Sequence, residues 1–154
     1  MKKTIFAVII LLCAVALFSS CSKSSTNISD YPELIKGRWT VIKDVYQDSG
    51  ETYSTTVFSE DNQGFFRFTA TGEYFFWDSA KNDTASDYGT YTIDGKSIYI
   101  SGSEYGSLTI KTLTSSKCTI VITHPIHDNL SCIRYMTKDR DELFFVYNGK
   151  RYDY

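Results

Sequence analysis

The chain has 154 residues, of which 42% are hydrophobic, 16% aromatic and 22% charged, and its formal net charge at pH 7 is −2. This length is sufficient for one domain with a sizeable core and leaves little room for a second. The slight acidity excludes an electrostatic preference for nucleic acid or for an anionic lipid surface.

The first 21 residues have the order of a secretory signal peptide. Lys2 and Lys3 form a short basic start, and an uncharged apolar run follows from Ile5 to Phe18. This run is too short to span a bilayer comfortably. Small polar residues come next, and Cys21 follows them directly.

This order resembles the signal of bacterial lipoproteins. The resemblance implies cleavage before Cys21 and acylation of Cys21, with a fatty-acyl chain such as palmitate as the membrane anchor. We therefore predict a signal peptide over residues 1–20. Its removal changes the net charge from −2 to −4, because Lys2 and Lys3 leave and no acid does. Residues 21–30 are predicted to be the lipidated cysteine and a flexible tether rich in Ser, Thr and Asn.

The residues after Cys21 also indicate where the protein resides. Ser22 agrees with outer-membrane sorting as it is known in enteric lipoproteins, and no acidic run follows Cys21. We expect a protein held in the outer membrane by the lipid on Cys21, on the periplasmic face rather than the cell surface.

Residues 31–154 are predicted to form the folded domain. A short turn of helix is expected over residues 31–36, with Asp30 as its cap and Pro32 at an early position where proline is tolerated. The first strand follows the helical turn. Its alternation predicts one face that carries Trp39, Val41, Lys43 and Val45.

The remaining chain predicts further short strands with hairpin turns between them. Asp94-Gly95 and Asn148-Gly149 stand between alternating runs and are strong hairpin signals. Irregular segments at 47–52, 78–86 and 124–129 are predicted to be loops at barrel ends. The further strands are expected at residues 65–68, 73–77, 88–93, 97–101, 108–113, 117–123, 130–137, 143–147 and 151–154.

This series of strands predicts an all-β fold, an antiparallel up-and-down meander. A meander of this length closes on itself, because an open sheet would leave two edges unpaired. We expect a closed barrel of about eight to ten strands, with the short helical turn at its N-terminus.

Gly37-Arg38-Trp39 opens the first strand straight after the helical turn and matches the Gly-X-Trp signature of lipocalins. With the hairpins that follow, residues 34–150 resemble the lipocalin-like domains of many Gram-negative lipoproteins. The resemblance implies that Gly37 allows a tight turn and that Trp39 closes one end of the barrel. It also implies an arginine packed over the indole. Arg134 is favoured over Arg151, because Arg134 lies within an apolar strand; a surface arginine is the alternative.

Parity along the predicted hairpins places eight apolar side chains on one face of the sheet. If this face points inward, these side chains either line a ligand cavity or fill the core, and the sequence leaves both alternatives open. They are Phe66, Phe68, Tyr74, Phe76, Tyr91, Ile93, Ile98 and Ile100. The candidate ligand-binding residues are these side chains without Ile93, together with Trp39 and Arg134. The nine candidates are Trp39, Phe66, Phe68, Tyr74, Phe76, Tyr91, Ile98, Ile100 and Arg134.

Cys118 and Cys132 lie on consecutive predicted strands of a chain expected in an oxidising or weakly oxidising envelope. They form either a disulfide or two buried free thiols, and geometry decides between these alternatives.

The sequence offers little support for catalysis or metal binding. His124, His127 and Asp128 are residue types that bind metals, but their loop fixes no common face. There is no Gly-X-Ser-X-Gly elbow, no glycine-rich phosphate loop and no cysteine with an obvious base. We predict no enzyme activity, no metal and no cofactor.

Together these features predict a monomeric, membrane-anchored, lipocalin-like lipoprotein. It would bind or carry a small hydrophobic ligand in the bacterial cell envelope, without catalysis. The alternative is a filled barrel that acts through its loops as a protein-interaction module of an envelope complex, with no small-molecule ligand.

Overall fold

The computed structural model describes residues 26–103 and 106–154. The predicted signal peptide, Cys21 and the first residues of the tether lie outside these ranges. Among the described residues, no helix has the length and apolar character needed to cross a membrane.

Within residues 26–103 and 106–154, helical structure is confined to short segments near the N-terminal end of this range and in one loop. A 3-10 turn, Ile28–Asp30, leads into the single-turn helix α1, Tyr31–Leu34, and a second 3-10 turn spans Glu60–Asn62. The described strands are β1 (Gly37–Asp48), β2 (Glu51–Val57), β3 (Phe65–Phe68), β4 (Glu73–Trp77), β5 (Asp87–Asp94), β6 (Ser97–Ser101), β7 (Ser107–Leu113), β8 (Lys117–Thr123), β9 (Leu130–Asp139), β10 (Phe144–Tyr147) and β11 (Lys150–Asp153).

Eight strands close into an antiparallel barrel, which confirms the predicted fold class. Strands β3 to β9 pair in sequence order, and β1 pairs with β9 to close the ring. The other edge of β1 pairs with two strands, one after the other along its length. Its first residues pair with β3, and its second half pairs with β2.

Strand β2 was not predicted: its first two residues fall in the predicted loop 47–52, and no element was predicted for residues 53–57. All seven of its residues are exposed, so it shows no apolar alternation, but Thr, Tyr and Val favour extended backbone. Ser49 and Gly50 both have positive φ, 51° and 88°, which gives the tight turn that folds β2 back on β1.

A β-bulge in β1 reverses the face on which its later residues lie. Val41 pairs with Met136 and Lys43 with Tyr135, so Ile42 is an additional residue. After it, Asp44 is fully buried, while the Lys43 ammonium lies 3.9 Å from the ring centroid of Tyr135. The prediction that Trp39, Val41, Lys43 and Val45 share one face is therefore wrong beyond Val41.

The apolar face predicted from parity does point into the barrel. Seven of its eight side chains belong to one buried cluster with Trp39, and Ile93 packs against that cluster. The seven are Phe66, Phe68, Tyr74, Phe76, Tyr91, Ile98 and Ile100. Alternation alone determined this face, because each of these hairpins is regular over the residues concerned.

One end of the barrel is closed by Trp39 and α1. The Trp39 Nε1–H donates to the carbonyl of Ile35 at 2.5 Å, and the φ of Gly37, +119°, allows the turn into β1. The cation over the indole is Lys138, whose Nζ lies 5.2 Å from the ring and donates to the Leu34 carbonyl at 3.0 Å. We refer to this end as the closed end.

The two candidate arginines for this role, of which Arg134 was favoured, lie elsewhere. Arg134 lies across the ring faces of Phe66 and Phe76, and Arg151 packs over Phe144. The expectation of an arginine over Trp39 is wrong, because the β1–β9 register places Lys138 opposite Trp39.

The last two strands form a hairpin outside the barrel. Phe145 of β10 joins a second apolar cluster with Phe65, Phe75 and Trp77 on the outer face of β3 and β4. The Arg67 guanidinium lies within 4.8 Å of the rings of Phe65, Trp77 and Phe145 and pairs with Glu142 at 2.5 Å. This ion pair fixes the hairpin to the barrel.

Cys118 and Cys132 are free thiols, so the disulfide alternative is wrong. Cys118 pairs with Met136 and Cys132 with Ile122, which separates the cysteines by four positions along neighbouring strands. That offset is about 13 Å, well beyond the Cα separation of a disulfide.

Candidate functional site

The middle of the barrel is filled by its own side chains. The rings of Phe66 and Phe76 have centroids 4.5 Å apart, and Phe68 meets Tyr91 edge-on at 5.0 Å. Trp39 and Tyr74 are fully buried. Eight of the nine candidate ligand-binding residues lie in this packed cluster.

A pocket of about 240 Å³ opens at the end opposite Trp39, and we call it the mouth pocket. It is formed by the second half of β1, by β2, and by the adjoining ends of β8 and β9. Arg134 is the candidate residue that lines it. The full lining is Tyr46, Tyr53, Ile122, Thr123, His124, Pro125, Leu130, Ser131, Cys132 and Arg134.

A buried ion pair lies between the mouth pocket and the core. Arg134 Nε donates to Asp44 Oδ1 at 2.9 Å, and Nη2 donates to Oδ2 at 2.7 Å. The guanidinium is also 5.6 Å and 5.3 Å from the rings of Phe66 and Phe76. Such bidentate pairing satisfies both charges in a site that water reaches poorly.

Two tyrosines face each other in the wall of the pocket. Tyr46 pairs with Ser54 and Gln47 with Thr52, so Tyr53 is the additional residue of a second bulge. Bulges turn side chains away from the regular alternation. The ring centroids of Tyr46 and Tyr53 are 6.4 Å apart, with planes inclined by 40°.

Two polar side chains of the pocket, those of Cys132 and Tyr46, have raised pKa values. Burial, with a further contribution from the Asp44 carboxylate, raises the pKa of the Cys132 thiol to about 12. Burial is also the main cause that raises the pKa of Tyr46, followed by the charge of Asp44. A protonated thiol is a poor nucleophile, so these groups are suited to contact with a ligand.

The His124 side chain stabilises the 124–129 loop itself. His124 Nδ1 accepts hydrogen bonds from the backbone N–H groups of Ile126 and His127, both at 3.2 Å. The two imidazole rings lie 5.0 Å apart. Over residues 26–103 and 106–154, no group of three or more His, Cys, Asp and Glu side chains could hold a metal ion.

Sequence reasoning missed most of the pocket. The bulge at Ile42 turns Tyr46 inward, and the bulge at Tyr53 occurs in a strand that was not predicted. One signal was available: Asp44 and Arg134 are opposite charges within two predicted strands, and burial of either requires the other.

No protein-family model matches the sequence, and no curated protein matches it significantly.

Proposed function

We propose that this protein is a lipid-anchored, lipocalin-like lipoprotein of the bacterial cell envelope that binds a small hydrophobic molecule in the mouth pocket. The observation that carries the proposal is the mouth pocket, a largely apolar opening at one end of a closed barrel. Anchoring through acylated Cys21, in the outer membrane and facing the periplasm, rests on the sequence.

The size of the pocket limits the size of the ligand. A cavity of about 150 Å³ in another protein holds one benzene molecule. The mouth pocket, at about 240 Å³, therefore suits one or two rings or a short aliphatic chain. It is too small to enclose a haem or a whole long-chain fatty acid.

The chemistry of the lining supports reversible binding. Ile122, Leu130 and the two tyrosine rings supply apolar surface, and Asp44 already holds Arg134. The raised pKa of Cys132 leaves little thiolate at neutral pH. A ligand would thus be held mainly by apolar and ring contacts.

Protein-observed NMR with 2-naphthol as the probe tests this proposal. The full chain, in a non-ionic detergent, is titrated while the methyl signals of Ile122 and Leu130 are followed, with Ile98 as the core reference. We expect saturable shifts for the two pocket residues and none for Ile98.

A pocket-filling variant provides the control. Leu130→Trp should abolish the shift of Ile122, whereas Leu143→Trp makes the same change at a 76% exposed position and should leave binding intact. If 2-naphthol shifts neither pocket signal, or binds equally well to Leu130→Trp, the proposal is wrong.

A second candidate function is the protein-interaction module. It is favoured by the neighbouring exposed apolar residues Leu143, Phe144 and Val146 on the C-terminal hairpin. Under this alternative, Val146→Glu would shift the protein to a smaller species on native gels of solubilised envelope. An unchanged migration would contradict it.

A further inference from the structure

The mouth pocket offers no spare positive charge to an anion. Among the described residues that line it, Arg134 is the one arginine or lysine, and both oxygens of the Asp44 carboxylate hold its guanidinium. A carboxylate that entered the pocket would compete with Asp44 for this cation. Burying an anion without its own counter-charge is costly.

The same pocket does offer aromatic faces to a cation. The negative face of a tyrosine ring attracts an ammonium group. Tyr46 and Tyr53 stand 6.4 Å apart in the wall. Of the contacts between cations and rings found among the described residues, none involves either ring.

The charges around the mouth have the sign that attracts a cation. The described segments that reach this end, residues 48–51, 60–64, 78–87 and 124–129, carry eight carboxylates and one lysine. At the closed end, segments 28–36, 69–73, 94–96, 111–117 and 138–142 carry seven carboxylates and six lysines or arginines. An excess of carboxylates around an apolar opening focuses a negative potential on it.

One of these carboxylates is fixed beside the pocket. Asp48 pairs across the strands with Leu130, which lines the pocket. Asp48 Oδ1 accepts hydrogen bonds from Asn129 Nδ2 at 2.7 Å and from Ser49 Oγ at 3.0 Å. Asn129 therefore holds this carboxylate between β1 and the 124–129 loop, at the rim of the opening.

We propose that the mouth pocket selects small organic cations, in which an ammonium group is carried on an apolar body, over anions of the same size. The cavity is the site, and the carboxylates around it determine the sign of the charge that it accepts. The apolar body contacts Ile122 and Leu130, and the ammonium group lies against the rings of Tyr46 and Tyr53. This inference rests on the function proposed above and names the class of its ligand.

Three probes that share one ring and differ in charge test the inference. Benzylammonium, benzyl alcohol and benzoate are titrated separately into the full chain in non-ionic detergent, and the Ile122 and Leu130 methyl shifts give each dissociation constant. We expect benzylammonium to bind roughly tenfold more tightly than benzoate, with benzyl alcohol between them. Added salt should weaken the binding of benzylammonium and leave that of benzyl alcohol unchanged.

Three variants separate the contribution of the rings from that of the rim. Tyr53→Leu keeps an apolar side chain and removes the ring face. It should weaken the binding of benzylammonium about fivefold and the binding of benzyl alcohol less than twofold. Tyr99→Leu makes the same change at a half-exposed position on β6 and should alter neither. Asp48→Asn keeps the shape of the rim and should weaken the binding of benzylammonium but not that of benzyl alcohol.

The outcomes distinguish this inference from the proposed function. If benzyl alcohol and 2-naphthol bind but benzylammonium binds no better than benzoate, the selection of cations is wrong and the hydrophobic pocket stands. If none of the probes shifts Ile122 or Leu130, both proposals are wrong. An equal loss of benzylammonium and benzyl alcohol binding in Tyr53→Leu would also overturn the role given to the ring.

Discussion

Asp44 of β1 and Arg134 of β9 form a two-point ion pair inside the barrel, 2.9 Å and 2.7 Å between the bonded atoms. Ninety positions separate them in sequence, and the Ile42 bulge sets the register that brings them together. The pair lies between the packed rings of the core and the mouth pocket. It therefore affects both the stability of the barrel and the character of the site.

We predict that Asp44→Asn destabilises the protein by about 3–5 kcal/mol, because it leaves the Arg134 charge buried without its partner. Urea unfolding at neutral pH measures the change in the free energy of unfolding. The double variant Asp44→Leu with Arg134→Met should recover most of the loss, since it removes both charges together.

A surface pair provides the control for this prediction. Arg151 and Asp153 are bonded at 2.9 Å, but their side chains are 60% and 63% exposed. Asp153→Asn should change the free energy of unfolding by less than about 0.5 kcal/mol. A comparable loss in Asp44→Asn and Asp153→Asn would contradict the importance of burial.

A second prediction concerns the attachment of the C-terminal hairpin. The planar guanidinium of Arg67 stacks among aromatic rings while it bonds both oxygens of Glu142, at 2.5 Å and 3.1 Å. Lysine reproduces neither the stacking nor the two-point bond. Arg67→Lys should raise amide hydrogen exchange over β10 and β11 at least tenfold, with exchange in β8 and β9 unchanged.

The corresponding control is Arg151→Lys. Arg151 packs over the exposed ring of Phe144 on the outer side of the same hairpin. This replacement should leave the exchange of β10 and β11 unchanged. Equal effects of the two substitutions would show that loss of any arginine near the hairpin suffices.

The barrel was predictable because its signals are local. Asp94-Gly95 forms the turn between β5 and β6, and the residues on either side keep strict alternation. Phe66 and Phe68 likewise share a face with Tyr74 and Phe76. Where the pairing is regular, alternation is enough to identify the residues that share the inward face.

The mouth pocket was not predictable in the same way. A single additional residue at Ile42 exchanges the two faces of β1, and this exchange depends on pairing with β9, far along the chain. Polar strand β2 gave no apolar pattern at all. In this part of the barrel, the direction of each side chain depends on the strand register. Register is set by pairing between distant strands, so local alternation does not predict it.

A third prediction follows from Glu73, the first residue of β4. Its carboxylate accepts hydrogen bonds from Thr71 and from Thr69 Oγ1, the latter at 2.8 Å, and pairs with Lys150 at 3.3 Å. These contacts lower the pKa of Glu73, and the hydrogen bond from Thr71 makes the largest contribution. The unfolded chain then binds more protons than the folded chain in mildly acidic solution.

The sign of the pH dependence follows from that lowered pKa. The stabilisation from Glu73 is complete above the ordinary pKa of a glutamate and is lost as the pH falls through the lower, folded-state pKa. Glu73→Gln should therefore be less stable than the parent at neutral pH, with the difference shrinking on acidification. Urea unfolding at a series of pH values measures it, and a difference that grows on acidification would contradict the assignment.

Thr71→Val is the matched variant for Glu73. It keeps the shape of the side chain and removes the hydroxyl that donates to Glu73. We expect it to raise the pKa of Glu73 toward the ordinary value and to reduce the same pH dependence. An unchanged pH profile in Thr71→Val would assign the effect to Thr69 and Lys150 instead.

The last prediction concerns the two cysteines of the barrel. Burial raises the pKa of Cys118 and of Cys132 to about 12, and β8–β9 pairing holds them apart. At pH 8 their thiolate fraction is of the order of 10⁻⁴, against about a quarter for an ordinary thiol. Peptide mass spectrometry after iodoacetamide treatment should find both unmodified in the folded protein and both modified in urea.

A cysteine placed on exposed β2 provides the control. Ser54→Cys should react at least 100-fold faster than either Cys118 or Cys132. Recovery of a linked Cys118–Cys132 peptide without reductant would overturn the β8–β9 register itself, since that register keeps the two sulfurs beyond bonding distance.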